Sequence, residues 1–261
     1  MAYPYIGDID FSQIRFGAMQ TGRDNRKSVE MFADDSSTAK TNYFKCQLCP
    51  DDESPVTTRY PLDRPPDGAV DKSRRGQSVR LPDETANAVK RLESAIVAAG
   101  VTRSKEWFKE ELSEAQVRDK FQLVAVPETD QHNLKFKIKC AEAVVPTKVR
   151  CVRRLPDKTF TLHHSDEREF ERAGASVVPL LSSFGLWFMG SGSHMRFGIG
   201  LQAEDIIVEP GAPMDELYRY SGLKRTYRHL SDEALSADAP IEGYEAYSPG
   251  STDDSPANKV Q

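Results

Sequence analysis

Residues 175–209 read A-S-V-V-P-L-L, S-S-F-G-L-W-F-M, G-S-G-S and H-M-R-F-G-I-G-L-Q-A-E-D-I-I-V-E. The apolar, β-rich runs are parted by Ser182-Ser183 and by Gly190-Ser191-Gly192-Ser193, both of them turn chemistry. Phe184, Leu186 and Phe188 alternate with Gly185, Trp187 and Met189, and Phe197, Ile199 and Leu201 alternate with Arg196, Gly198, Gly200 and Gln202. A period of two puts one set on the buried face of a sheet and the other outside. Gly198 and Gly200 mark a sharp bend or a close approach. The stretch predicts the closing hairpin of a small, curved, antiparallel sheet.

Upstream, alternation recurs at Ile14–Phe16, Ser28–Phe32 and Asn42–Leu48, the last with Phe44, Cys46 and Leu48 on one side. Residues 50–82, rich in Pro, Asp and Arg, predict a long surface loop. A helix capped by Asp83 follows, with Ala86, Val89, Leu92, Ile96 and Ala99 at helical spacing and an end at Gly100. Ser104–Phe108 starts a second helix, and Ser113-Glu-Ala-Gln116 is a capping box opening a third. The helices make one insertion at about 83–122, in which Trp107 and Phe108 face the core. Beyond it, Leu134, Phe136, Ile138 and Cys140 face one way and Lys135, Lys137 and Lys139 the other. Thr159–Leu162 reads as a short strand and Asp166–Arg172 as a short charged helix.

The chain carries 38% apolar and 29% charged residues, so a sizeable part is loop, tail or solvated helix. Asp232, Glu233, Asp238, Glu242, Glu245, Asp253 and Asp254 stand against Lys259 alone in residues 231–261. That excess outweighs the net charge of −5 on the whole chain and leaves a near-neutral body ahead of an acidic, disordered tail. Residues 210–230 form a basic, aromatic linker with Tyr218, Arg219, Tyr220, Lys224, Arg225, Tyr227 and Arg228. With no long apolar run and no basic-then-apolar N-terminus, the expectation is an intracellular protein that neither spans a membrane nor is secreted.

Like charges two residues apart on a strand repel, and a polyanion crossing Lys135, Lys137 and Lys139 would offset that; lysines that merely keep a solvated face soluble are the plainer alternative. Lys148, Arg150, Arg153 and Arg154 form a second basic run. Trp187, outward on the hairpin, is either a stacking platform for an unpaired base or packed under a helix of the insertion. Cys46-Gln-Leu-Cys49 has zinc-knuckle spacing that Cys140 and Cys151 would complete, but the ten-residue gap of the second pair favours buried free thiols and no metal. Gly198-Ile-Gly200-Leu-Gln-Ala203 spells a dinucleotide fingerprint, yet Ile206-Ile207-Val208 continues the strand where a helix is required. His163-His164 with Asp166 and Glu167 is a candidate acid/base group that reads more simply as a solvated turn. No enzyme and no cofactor are expected.

The order S-K-E-W-F-K (104–109), E-L-S-E-A-Q-V (111–117), N-L-K-F-K-I-K (133–139), V-V-P-L-L (177–181), G-L-W-F (185–188) and R-F-G-I-G-L-Q-A-E-D-I-I-V (196–208) resembles the single-stranded-DNA-binding proteins of nucleocytoplasmic large DNA viruses. These are similar to the OB-fold binding proteins of podophages. The resemblance implies a mainly β protein, with residues 1–209 forming an OB-fold (a Greek-key five-stranded barrel) with a helical insertion. It implies sequence-independent binding of single-stranded DNA in viral DNA replication, recombination or repair, in the host nucleus or at a cytoplasmic replication site. Lys135, Lys137, Lys139, Lys148, Arg150, Arg153, Arg154, Trp187 and Arg196 would contact DNA. Asp232, Glu233, Glu242, Glu245, Asp253 and Asp254 of the tail would recruit a polymerase, helicase or primase and compete with DNA. The alternative is a virion-structural or protein-interaction module on an OB barrel. Oligomeric state stays open, a homodimer included.

Overall fold

A computed structural model describes residues 3–22, 26–33, 43–50, 55–63, 73–129, 131–154, 160–170 and 173–209, with the backbone alone at 153, 154, 160, 168, 184 and 193. The chain divides into Met1–His229 and Leu230–Gln261. The second unit and the linker 210–229 lie outside the described residues, and with them every tail carboxylate named above.

In chain order the elements are β1 (Arg15–Thr21), β2 (Lys27–Phe32), β3 (Lys45–Gln47), β4 (Val56–Thr58) and β5 (Arg74–Leu81). The helices α1 (Asp83–Thr102), α2 (Ser104–Phe108) and α3 (Glu114–Lys120) follow. Then come β6 (Ala125–Glu128), β7 (Gln131–Lys139), β8 (Lys148–Arg154), β9 (Phe160–Ser165), β10 (Ser176–Met189) and β11 (Arg196–Glu209). No helix among the described residues is long and apolar enough to cross a membrane.

The hairpin is β10 and β11, antiparallel from Ser176↔Glu209 to Met189↔Arg196. Residues 190–195 turn the chain as expected, but Ser182-Ser183 does not turn it: β10 runs straight through. The register shifts between Ser183 and Leu186, where Gly185 sits at φ +96°. A β-carbon there would collide with the carbonyl oxygen of Val29 on β2. The Ser183 hydroxyl accepts the Gly185 N–H at 2.9 Å, so the serines serve a bulge inside one strand.

The pairings close on themselves. β10 pairs with β4, β4 with β5, β5 with β7, β7 with β11, and β11 with β10. The β7–β11 contact is parallel and rests on Gln202↔Lys137. Thr147 reinforces this seam: its hydroxyl accepts the Lys139 N–H at 2.9 Å and donates to the Ala203 carbonyl at 2.8 Å. Around the ring, β2 and β3 add to β10, β1 to β2, β6 to β7, β8 to β11 and β9 to β8.

Two ring strands, β4 and β5, lie inside the stretch expected to be a surface loop, which is the main correction to the sequence reading. α1 also begins one residue earlier than expected: Pro82 occupies the cap and Asp83 the first turn, where its charge favours the helix dipole. Gly100 lies inside α1, which runs on to Thr102; Val117 of α3 and Phe197 of β11 crowd that spot, leaving little room for a β-carbon. The Ser113/Gln116 capping box is formed as expected.

Inside the ring, Leu134, Phe136, Ile138, Leu181, Leu186, Phe197 and Ala203 are buried with Ala86, Val89, Leu92 and Ile96 of α1. Trp107, fully buried on α2, is met by Phe16, Phe108, Phe188 and Phe197 at ring-centroid distances of 5.6–6.4 Å. The helical insertion therefore seals the interior with aromatic rings, and what faces solvent is the outside of the sheet.

Candidate nucleic-acid interface

Because Leu134, Phe136 and Ile138 are drawn into the ring, the pleat forces Lys135, Lys137 and Lys139 onto its outer face. β5 lies alongside in register, placing Ser78 opposite Lys135, Gly76 opposite Lys137, Arg74 opposite Lys139 and Arg80 opposite Asn133. Arg74 and Arg80 are exposed, so the cations of two neighbouring strands share one face. The sequence pattern does not mark Arg74 and Arg80 as site residues, since a segment rich in Pro, Asp and Arg has the composition of a loop.

The three lysines differ in their surroundings. Lys135 pairs with Asp63 at 2.6 Å while both stay about half exposed, and its side chain lies over Gly76. Lys139 lies 3.5 Å from Glu204 and is mostly covered. Lys137 between them is exposed, and no carboxylate among the described residues pairs with it. The repulsion along the row is thus relieved at its two ends by the protein's own acids, and a polyanion is not required to account for it. An exposed pair such as Lys135–Asp63 contributes only about 0–1 kcal/mol and yields readily to a phosphate.

Glu204 is held as an anion. Burial works against its charge, but the Ser182 hydroxyl at 2.6 Å, the Lys139 ammonium and the Gln202 amide at 3.1 Å prevail and keep its carboxyl below the usual range.

The second basic run is divided. Arg150 forms a two-pronged pair with Asp205, Nε to Oδ1 at 3.0 Å and Nη2 to Oδ2 at 2.7 Å, with both side chains largely covered. Since Ile207 of β11 faces Arg150 across the parallel ladder, this pair pins β8 to β11. Lys148, opposite Asp205, is exposed. Arg153 and Arg154 lie on β8 opposite Thr161 and Phe160, and their side chains lie outside the described residues. Arg196, at the far end of the hairpin, is exposed and donates to the backbone and carboxylate of Asp119 on α3.

Trp187 lies opposite Ser28 of β2 and Gly198 of β11, half-buried, with its indole against Gly198. A β-carbon at Gly198 would come within 2.6 Å of the ring, so the glycine makes the seat on which the indole rests. Met189, two residues on, is 66% exposed at the hairpin tip.

The remaining candidates separate. His163 and His164 are successive residues of β9 and so take opposite faces, His163 against Cys151 and His164 against Arg150, which prevents them from acting on one substrate atom. All four cysteines are buried free thiols, and burial pushes the Cys46 thiol up to about 12. The groups among the described residues that could hold an ion take one cysteine each, so no four-cysteine site forms.

No protein-family model matches the chain, and no curated protein matches it. Among solved structures it is similar to the single-stranded DNA-binding protein from bacteriophage Enc34 in complex with single-stranded DNA, at 11% identity and a TM-score of 0.36 over 75% of this chain and 96% of that one. The same phage protein without DNA gives 12% identity and a TM-score of 0.35 over 77% and 93%.

Proposed function

We propose that this chain is a non-enzymatic protein that binds single-stranded DNA without sequence preference, across the outer face of β5 and β7. The observation that carries the proposal is the exposed Lys137, flanked in register by Lys135, Lys139, Arg74 and Arg80 on one continuous face. Order within the ring supports an OB barrel. β4, β5 and β7 are successive neighbours and β10 returns beside β4, which is a Greek-key order, while β11 closes the ring. In that fold the second and third strands, here β5 and β7, form the oligonucleotide face, and the loop between the last two strands, here 190–195, borders it.

Phosphates would run along Lys135, Lys137 and Lys139 with Arg74 and Arg80 beside them, and Lys148 lies beyond on β8. Trp187 on its glycine seat offers a flat ring to an unpaired base. Arg150 is placed as a structural clamp, and Arg153, Arg154 and Arg196 extend the positive field. A role in replication, recombination or repair, in a large DNA virus of the kind the sequence resembles, and recruitment of replication proteins through the acidic tail belong to the same proposal.

Fluorescence anisotropy with single- and double-stranded oligonucleotides at two salt concentrations tests it. If about three phosphates are neutralised on a single strand, log affinity falls against log salt with a slope of roughly −2. Replacing Lys135, Lys137 and Lys139 together by Ala should flatten that slope. Equal affinity for both kinds of oligonucleotide, or an unaltered slope in the triple variant, overturns the assignment.

A further inference from the structure

We infer that Cys151, His163 and Glu169 hold a zinc ion that fastens β8 and β9 to the 3-10 turn behind them. The sulfur, an imidazole nitrogen and a carboxylate oxygen of these residues all lie within 4.8 Å of one another. Bond lengths of about 2.0–2.3 Å place tetrahedral zinc ligands about 3.5 Å apart, so the side chains need to close by about an ångström. Thiolate, imidazole and carboxylate together are a zinc donor set, whereas an all-oxygen shell would suit calcium or magnesium. Three protein ligands leave the fourth position to water.

The backbone brings the three together from separate elements. Cys151 and His163 are directly opposed across the β8–β9 hairpin, their side chains on the same face. Glu169 belongs to the 3-10 turn Glu167–Phe170, and that turn is fixed at its end: Phe170 is fully buried and its carbonyl accepts the Leu62 N–H at 2.9 Å. The Ser165 hydroxyl donates to Glu169 Oε1 at 2.6 Å, the kind of outer contact that orients a ligating carboxylate. Cys151 also faces Val208 of β11, so an ion here would tie the hairpin's far strand to the ring through β8.

A nearby group, Cys140 with Glu142 and Glu167, is the weaker candidate. Burial, with Glu167 and Glu142 adding to it, pushes the Cys140 thiol up to about 11, and Arg75 stands beside it where a second cation is unwelcome. Glu167 also already accepts the Ala141 N–H at 3.2 Å.

Zinc binding at Cys151 displaces the thiol proton to solvent, so affinity should fall as pH is lowered. The test is a cobalt(II) titration of the full chain, kept reduced by a phosphine, followed by zinc. The expected result is a thiolate-to-cobalt charge-transfer band that saturates near about one equivalent and is erased by zinc. Cys151→Ser should abolish the band, and Cys140→Ser should leave it. Ser165→Ala should weaken binding by about 10- to 100-fold, which also covers the case in which the buried Cys151 variant fails to fold. Zinc should raise the Tm of the wild-type chain. No band at tens of micromolar cobalt, a band that survives Cys151→Ser, or wild-type affinity in Ser165→Ala overturns the site.

Discussion

The two sides of the ring each carry a tryptophan and a covered glutamate, and treat them in opposite ways. On the helical side Trp107 is enclosed by aromatic rings, and Glu93 of α1 is drawn in to accept the Val124 and Ala125 N–H groups at 2.6 and 2.8 Å. On the outer side Trp187 rests half-open on Gly198, and Glu204 sits in a polar group with Lys139, Ser182 and Gln202. What separates them is the neighbour across the gap. A helix layer can be dry because its own backbone bonds are made internally, whereas a sheet face with no layer over it keeps its polar groups wet.

The tryptophans give the largest contrast. Trp107→Ala empties the aromatic cluster and should cost about 3–5 kcal/mol of stability, read as a lowered denaturation midpoint. Trp107→Phe should cost less, because the indole Nε1 is buried with no acceptor among the described residues and leaves with the substitution. Trp187→Ala should barely move the midpoint but weaken single-stranded DNA binding by about 1–3 kcal/mol, roughly 5- to 150-fold. Were Trp187→Ala to unfold the protein as Trp107→Ala does, the outer face would be a second core and the contrast would fail.

Much of the helical side was legible because its signals are local. Helical spacing exposed the buried face of α1, the capping box opened α3, and strict alternation found β7 and the hairpin. The outer face was legible only strand by strand. β5 escaped because two of its inward positions are polar: Arg75 donates to the Asp63 carbonyl at 2.7 Å and Gln77 to the Tyr60 carbonyl at 2.9 Å. Carbonyls of the preceding segment accept from those side chains, so polar residues are held inward and no apolar alternation appears. The row of lysines was visible, but Asp63 and Glu204, which temper it, come from other strands and loops. Pairing across a sheet is set by register between distant segments, and a single strand carries no record of it. The Cys151–His163 juxtaposition was hidden for the same reason, since sequence spacing suggested Cys140 as the partner.

The glutamates sharpen the comparison at the smallest scale, through pH. Burial raises the Glu93 carboxyl above its usual value, with the two backbone N–H groups only partly offsetting it. The folded state therefore holds that proton more tightly than the unfolded chain. Its contribution is fully present below pH 4.5 and is lost as pH rises through the raised value. Glu204 runs the other way: its folded carboxyl lies below 4.5, so its contribution is present above that pH and is lost as pH falls through the lowered value. Chemical denaturation across this range should show Glu93→Gln flattening the arm above pH 4.5 and Glu204→Gln flattening the arm below it. A Glu93→Gln variant with the wild-type slope above pH 4.5 would mean that the carboxylate is solvated after all and that α1 does not seal that side. The amide in that variant still offers an oxygen to Val124 and Ala125, so the change in slope reports the charge alone and not the loss of the two hydrogen bonds.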